Sequence, residues 1–526
     1  MIKFYVQCLL IIIFFHLEGV SSTSDQKLKT LYKGVSSTSD QKLKTLYTSL
    51  NPTSVSQHLA FYELYSSHPL GQKALQDAWN LLTGKQEKNV CLNDIPLSGP
   101  VIQALINIVN KQPNTELVPL TSQELDEIEK LSKRLSHYHL QGHSVWNEKD
   151  IWPLPTEEVD LARGLFLSQF GNDSLRIRTY EAMIDLIALQ ILARLPPKAS
   201  PELVIKAINQ MIFDEMRFRF PPQSLYANHI DVYTFLPSVL DSHRGVCLGV
   251  SILYLCLAQR LNLQLEMVTP PGHIYIRHRS KNKMINIETT ARGVHLDCEE
   301  YLSINNRSLK HRPHKEVIGM AHFNQASVYW QQEQFEQAFL AYQKAEPYLK
   351  DDPLLKELMG YTCLLTNRET LGLELIKSIK DHIPDYAVVK STVAEDYLNG
   401  MTDAKSIAIL FSRTDENRTA LLAKKDSLEK IIHKFPRFRA GLLQLAMTWT
   451  QLNRVEKALE KLKELNTFYP HDPEVNYYLA ILHAQRLDYP QAWIHLKQAE
   501  ILTLARAYDC KQLKELRQAL VKECPE

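Results

Sequence analysis

A cysteine, a histidine and a carboxylate follow one another in chain order between Arg244 and Glu288. Cys247 comes two residues after Gly245 in RGVCLGVSILYLCLAQRL, His273 lies in PGHIYIR, and Glu288 closes MINIE. A thiol, an imidazole that can take its proton and a carboxylate that can orient the imidazole are the parts of nucleophilic acyl chemistry. Leu248, Val250, Ile252, Leu253, Leu255 and Leu257 predict a buried helix whose first turn carries Cys247. The free amides and dipole of a helix amino terminus favour negative charge, which suits a thiolate and an oxyanion alike. Cys256, nine residues on, is turned about 180° round the helix at about 100° per residue and reads as core.

The other two residues need a frame. His273 to Arg277 and Met284 to Glu288 both alternate apolar and polar residues, and the Arg279–Asn282 connection favours an antiparallel hairpin. A four-residue loop pairing His278 with Lys283 sets His273 directly opposite Glu288. A two-residue loop at Lys281 and Asn282 moves the register by two and keeps both side chains on one face, because side-chain direction has period two. Asn286 shares that face and is a rival orienter. An oxyanion donor beyond the Cys247 amide is expected upstream, where Tyr226, Asn228 and Tyr233 are available in PPQSLYANHIDVYTF and no spacing rule selects among them. Arg244 is read either as a clamp for a substrate carboxylate or as the ion-pair partner of an acid such as Asp241.

GVCLGVSILYLCLAQRLNL, TPPGHIYIR and INIETTARG together resemble the transglutaminase-like superfamily of cysteine peptidases and acyltransferases, in its bacterial branch often fused to tetratricopeptide repeats. The resemblance covers 159–301. It implies a papain-like core, with the nucleophile helix packed on an antiparallel sheet, and a catalytic triad falling on Cys247, His273 and Glu288. The superfamily more often carries Asp at the third position, and some members of this branch lack the cysteine.

Around this module the pattern is helical. Thr121-Ser122-Gln123-Glu124 reads as a capping box ahead of Leu125, Ile128 and Leu131. Thr156 is expected to cap a helix carrying Val159, Leu161, Ala162, Leu165 and Phe166. The apolar run 180–195 and the segment 201–218 predict two more helices, the second ended by Pro221-Pro222. His137, His139 and His143 could gather imidazoles, but no carboxylate or cysteine partner follows at ligand spacing. They are read as surface histidines, and neither a metal nor a cofactor is expected.

A countable repeat fills the C-terminal region. Ala326, Tyr329, Ala338, Tyr342 and Ala345 recur 34 residues later as Gly360, Cys363, Gly372, Ile376 and Ile379. Ala446, Trp449, Ala458, Leu462 and Leu465 recur at the same offset as Ala480, His483, Ala492, Leu496 and Ala499. Small residues at these positions let paired helices approach closely, which resembles the tetratricopeptide pattern. Residues 385–435 depart from the period and read as a degenerate repeat with an insertion near Arg413 to Asn417. Leu513, Leu516 and Leu520 predict a closing helix over 507–522. Such arrays present concave surfaces that bind peptides or protein segments, so a protein or peptide partner is expected there.

The expected fold class is α+β and mostly helical. Its parts are a signal peptide or short membrane anchor (1–22), a linker with a duplicated segment (23–49), a helical region (50–155), the transglutaminase-like domain (156–310), a repeat solenoid (316–505) and the closing helix (507–522). Lys3 followed by the apolar run Phe4 to Leu17 and by Val20, Ser21 and Ser22 supports export, to the periplasm or out of the cell, with an uncleaved membrane anchor as the alternative. GVSSTSDQKLKTLY occurs twice, at 19–32 and 34–47. Sixty basic against fifty-nine acidic residues, with no basic block interleaved with aromatics, argue against nucleic acid as a partner. Eight cysteines without a CxxC pair argue against a zinc ribbon or a disulfide scaffold, though Cys510 and Cys524 could bridge in an oxidising compartment. The functional expectation is an exported thiol-dependent hydrolase or acyltransferase acting on amide or ester bonds. The alternative is an inactive transglutaminase-like scaffold serving as a repeat-based adaptor.

Overall fold

The computed structural model describes residues 40–85, 95–111, 113–114, 120–221, 234–281, 283–415 and 417–525. The apolar segment expected to direct export or anchor the chain lies outside these residues. Among the described residues no helix is long and apolar enough to cross a membrane. The chain divides into two compact units, 1–95 and 96–526. In the first, α1 (Asp40–Thr48), α2 (Val55–Leu64) and α3 (Pro69–Thr83) share a small core of Leu43, Leu50, Phe61 and Ala74. The end of the second duplicated copy is thus a packed helix rather than linker, since Leu43 is buried and Leu46 and Tyr47 pack beside it.

The second unit begins with α4 (Gly99–Asn110) and α5 (Ser122–Ser132). The capping box of α5 is complete: the Glu124 amide donates to Thr121 Oγ1 and the Thr121 amide to the Glu124 carboxylate. Two 3-10 turns (Ser136–His139 and Gln141–Ser144) lead through α6 (Glu148–Ile151) to α7 (Leu161–Phe170) and α8 (Ser174–Leu192). The cap of α7 is Asp160, not Thr156. Its carboxylate accepts the amides of Ala162 and Arg163, while Thr156 opens only a short 3-10 turn. α9 (Pro201–Asn209) widens at its end into a π-helical turn (Gln210–Glu215) and stops before Pro221. α10 (Leu236–Ser242) precedes α11 (Cys247–Arg260), which is buried on every side from Leu248 to Ala258, consistent with its apolar residues on all faces.

Four antiparallel strands follow α11: β1 (Glu266–Thr269), β2 (Tyr275–Arg279), β3 (Met284–Ile287) and β4 (Lys310–Arg312), ordered β3-β2-β1-β4. The β2–β3 register pairs Arg277 with Asn286 and Arg279 with Met284, and the Ser280 amide donates to the Lys283 carbonyl. This is the register of the shorter of the two loops.

The rest of the chain is helical. α12 (His314–Gln331) pairs with α13 (Phe335–Ala345), α14 (Pro353–Leu365) with α15 (Glu369–Ile379), α19 (Arg439–Gln451) with α20 (Val455–Phe468), and α21 (Pro473–Gln485) with α22 (Tyr489–Leu504). Ala326, Ala338, Ala446, Ala458, Ala480 and Ala492 are fully buried where paired helices meet, and Gly360 and Gly372 are buried at the matching positions. The irregular middle consists of α16 (Val393–Leu398), α17 (Ala404–Phe411) and α18 (Arg418–Lys434). α23 (Lys511–Glu523) closes the array on Leu513, Leu516 and Leu520. Cys510 and Cys524 flank α23 at opposite ends and are both free. A helix of that length holds its ends about 20 Å apart, far beyond disulfide reach.

Two contacts join the sheet to the helical array. At one edge Arg312 and Lys310 of β4 reach Asp352, the N-cap of α14, at 2.6 and 2.7 Å, and α12 packs on α7, β1 and β4. Further on, the loop after Tyr301 runs into the last repeats. The Ile304 side chain is buried with Tyr477, Ile481 and Trp493. The Ile304 amide donates to Gln512 Oε1 (3.0 Å), Asn305 Nδ2 to Glu474 Oε1 (2.6 Å) and Tyr508 Oη to the Ser303 carbonyl (2.9 Å).

Candidate active site

Cys247 is the first residue of α11 and is partly exposed. Val246 at the N-cap offers no side-chain cap, so the first amides of the helix remain for another acceptor. Gly245 is required by close packing: a Cβ there would lie 2.6 Å from Val250 Cγ2 and 3.0 Å from the Val250 nitrogen.

His273 arrives through a turn. Its amide donates to the Pro270 carbonyl (3.2 Å), with Pro271 and Gly272 between them. Proline presets the first central φ of such a turn, and Gly272 supplies the left-handed second one at φ 73°. The imidazole is thereby set just ahead of β2, with its side chain 29 % exposed.

Glu288 follows β3 and its side chain is only 5 % exposed. Both oxygens are occupied. Oε2 lies 2.6 Å from His273 Nε2 and accepts from Tyr301 Oη (2.7 Å); Oε1 accepts from Thr290 Oγ1 (2.6 Å) and from the Thr290 amide (3.2 Å). Burial alone would push this carboxyl up, but its bonds to His273, Thr290 and Tyr301 outweigh that and hold it below the usual range. Burial likewise opposes charge on His273, yet its interactions with the Cys247 thiol and with Glu288 prevail and push the imidazole up to about 10. With Nε2 bound to Glu288, Nδ1 is the nitrogen left to serve the sulfur.

Cys247, His273 and Glu288 are therefore brought into one interacting group. Asn286, the rival orienter, is not part of it. Its direct cross-strand partner Arg277 donates Nε–H to Asn286 Oδ1 (2.7 Å), and Asn286 Nδ2 donates to the Leu296 carbonyl (2.5 Å). Asn228, Tyr226 and Tyr233 lie outside the described residues. Asp241 is engaged by Lys111 (3.3 Å) and Tyr180 Oη (2.7 Å) rather than by Arg244. Cys256 is fully buried as expected, and burial raises its thiol well above the usual range.

Two members of the group were not anticipated. Thr290, two residues after Glu288, follows the local pattern of an acidic residue capping its own turn. Tyr301 has no such signal: it is 13 residues from Glu288, and folding alone brings it in. Its ring stacks on His273 (centroids 5.7 Å, planes 11° apart) and on Tyr275 (4.7 Å, 20°). The Tyr301 carbonyl in turn accepts from Asn306 Nδ2 (3.2 Å) in the loop held by the last repeats.

The histidines of 137–143 also depart from expectation. His139 is exposed, but His137 is fully buried and His143 lies 3.0 Å from Asp160. The carboxylate partner comes from the start of α7, 17 residues beyond His143, where no ligand-spacing rule would look.

Residues 178–325 match the family model described as the transglutaminase-like superfamily, a span that includes α11, all four strands and most of α12. A stretch of 102 residues is 29 % identical to F-box only protein 21 of Mus musculus, covering 19 % of this chain and 14 % of that protein. Among solved structures, the chain is similar to the tetratricopeptide protein TTC0263 of Thermus thermophilus (18 % identity, 39 % of this chain and 97 % of that one, TM-score 0.21). It is also similar to MamA of Desulfovibrio magneticus RS-1 (14 % identity, 36 % and 96 %, TM-score 0.19) and to the hetero-tetramer Cut9-Hcn1 (11 %, 94 % and 94 %, TM-score 0.21). The repeat array is defined by its own helix pairs at 34-residue spacing. The chain carries a transglutaminase-like domain followed by tetratricopeptide repeats.

Proposed function

We propose that the protein is a thiol enzyme that cleaves or transfers acyl groups at amide or ester carbonyls. The observation that carries this reading is the 2.6 Å His273–Glu288 contact, with the imidazole raised to about 10 by Glu288 and the Cys247 thiol together. In the reaction the Cys247 sulfur attacks the carbonyl carbon, and the imidazolium of His273 stabilises the sulfur's negative charge beforehand. The tetrahedral oxyanion faces the free amides at the start of α11. Collapse breaks the carbon–nitrogen or carbon–oxygen bond, and His273 hands its proton to the leaving amine or alcohol. His273 then takes a proton from the incoming water or amine, which attacks the thioester and releases Cys247. Glu288 keeps the ring in position throughout.

Support for a protein partner comes from the stacked helix pairs at 34-residue spacing, since arrays of this kind present concave surfaces to peptides. The last repeats hold the domain's own loop, so that end of the array acts as an internal brace. Export is part of the proposal and rests on the apolar run at 4–17.

The test is labelling of the full chain with an electrophilic thiol probe such as iodoacetamide, mapped by mass spectrometry. Rapid labelling at Cys247 that is lost in Cys247→Ala and strongly slowed in His273→Ala supports the enzyme. Labelling indifferent to His273 leaves the adaptor reading, in which the domain only carries the repeats.

A further inference from the structure

Besides the cysteine site, the second unit holds another group of histidines and acids. His137 and His143 sit on the two 3-10 turns after α5, and Asp160 caps α7; one ligand atom from each lies within 4.8 Å of the others. Arg260, which borders the group, is at the far end of α11, about 20 Å along the helix from Cys247.

His137 has no exposed surface, and neither of its ring nitrogens has a hydrogen-bond partner. Its Nε2 lies 3.4 Å from Asp185 Oδ1, but that oxygen accepts from Arg260 Nε at 2.6 Å, and Asp185 Oδ2 accepts from Tyr138 Oη at 3.3 Å. A buried imidazole with both nitrogens unsatisfied is desolvated without compensation and calls for a ligand. His143 Nδ1 stands 3.0 Å from Asp160 Oδ2, close to the about 3.3 Å that separates two zinc ligands at bond lengths of about 2.0–2.1 Å. The rings of His137 and His143 meet edge to face with centroids 4.9 Å apart, so rotation of the unbonded His137 ring can close the third side.

Charge points the same way. Arg163 is taken by both oxygens of Glu181 (2.6 and 2.8 Å) and Arg260 by Asp185, which leaves the fully buried Asp160 carboxylate without a cation of its own. Asp160 Oδ1 caps the helix, and Oδ2 remains free for another partner besides His143. His143, 18 % exposed, provides the way in from solvent.

We propose that His137, His143 and Asp160 bind a divalent transition-metal ion of the zinc class, with a fourth position left for water. Two imidazoles and a single carboxylate suit zinc or iron(II) and are too poor in oxygen for calcium or magnesium. The ion ties the two turns to the start of α7.

The experiment uses the full chain, stripped by chelator and titrated with Zn2+ or Co2+. One equivalent of metal per chain and a rise in melting temperature are expected, with the same uptake in Cys247→Ala. The cobalt form should show visible d–d bands and no near-ultraviolet thiolate charge-transfer band. Asp160→Asn keeps a good helix cap while removing the anionic ligand, and it and His143→Gln should each weaken binding by about tenfold or more. Absence of stoichiometric uptake overturns the proposal and leaves the His143–Asp160 contact as a structural pair. A thiolate band, uptake untouched by both substitutions or uptake lost in Cys247→Ala overturns it too, by placing the ion on other ligands.

Discussion

His273 with Glu288 and His137 with Asp160 and Asp185 are built from the same residue types in one chain, yet their protons settle in opposite ways. His273 rises to about 10 and His137 falls to about 2. Acids flank both rings, but His273 is bonded to Glu288 at 2.6 Å, whereas His137 stands 3.4 Å from Asp185 with no hydrogen bond. Glu288 is fed only by neutral donors besides the imidazole, so its charge is spent on His273. Beside His137, Asp185 is already claimed by Arg260, and burial together with the arginine charge expels the proton against the pull of Asp160. A histidine beside an acid is therefore read correctly only when the acid's other partners are known.

The largest expected effect separates the two groups by function. His273→Ala should slow Cys247 labelling by about 10²–10⁴-fold, whereas His143→Ala should leave the rate within about twofold. Equal loss in both would merge the sites. Next is stability: Asp185→Asn strands the fully buried Arg260 and should cost about 3–5 kcal/mol in urea unfolding, with little effect on labelling per folded molecule. Tyr301→Phe removes a single bond to a charged acceptor, worth about 1.5–3 kcal/mol. It should slow labelling by about tenfold, while the chemical shifts of His273, followed by NMR against pH, move toward an ordinary imidazole titration. Unchanged His273 titration in this variant would mean that Tyr301 only fills space. A further test concerns pH. Because His273 is raised in the folded chain, its stabilising contribution is full below about pH 6.5 and fades as pH rises to about 10. The melting-temperature gap between the native chain and His273→Ala should narrow over that interval, and a widening gap would reverse the sign assigned to the pair.

How much of this was legible in the sequence depended on whether the signal was local. The capping box at Thr121, the apolar helix behind Cys247 and the 34-residue spacing of small residues are all patterns carried by the sequence itself, and each took its expected form. The hairpin was legible to within two registers, because period two fixes the face but not the loop. Tyr301, Asp160 and the loss of Asn286 to Arg277 depend on which segments folding brings together, and no pattern within a few residues records that. The cap of α7 was misplaced because Thr156 and Asp160 are both good capping types, and only the tertiary bond of Asp160 to His143 separates them.

The clasp of Ile304 among Tyr477, Ile481 and Trp493 changes how the helical array should come apart. In an open stack each unit leans only on its neighbours, and the terminal one peels away first. Here the terminal unit is fastened back to a segment that precedes the first, so the peptide chain and the clasp close a loop. Fraying from the tail must first undo that fastening, and so melting is expected as a single cooperative event rather than a progressive unzipping.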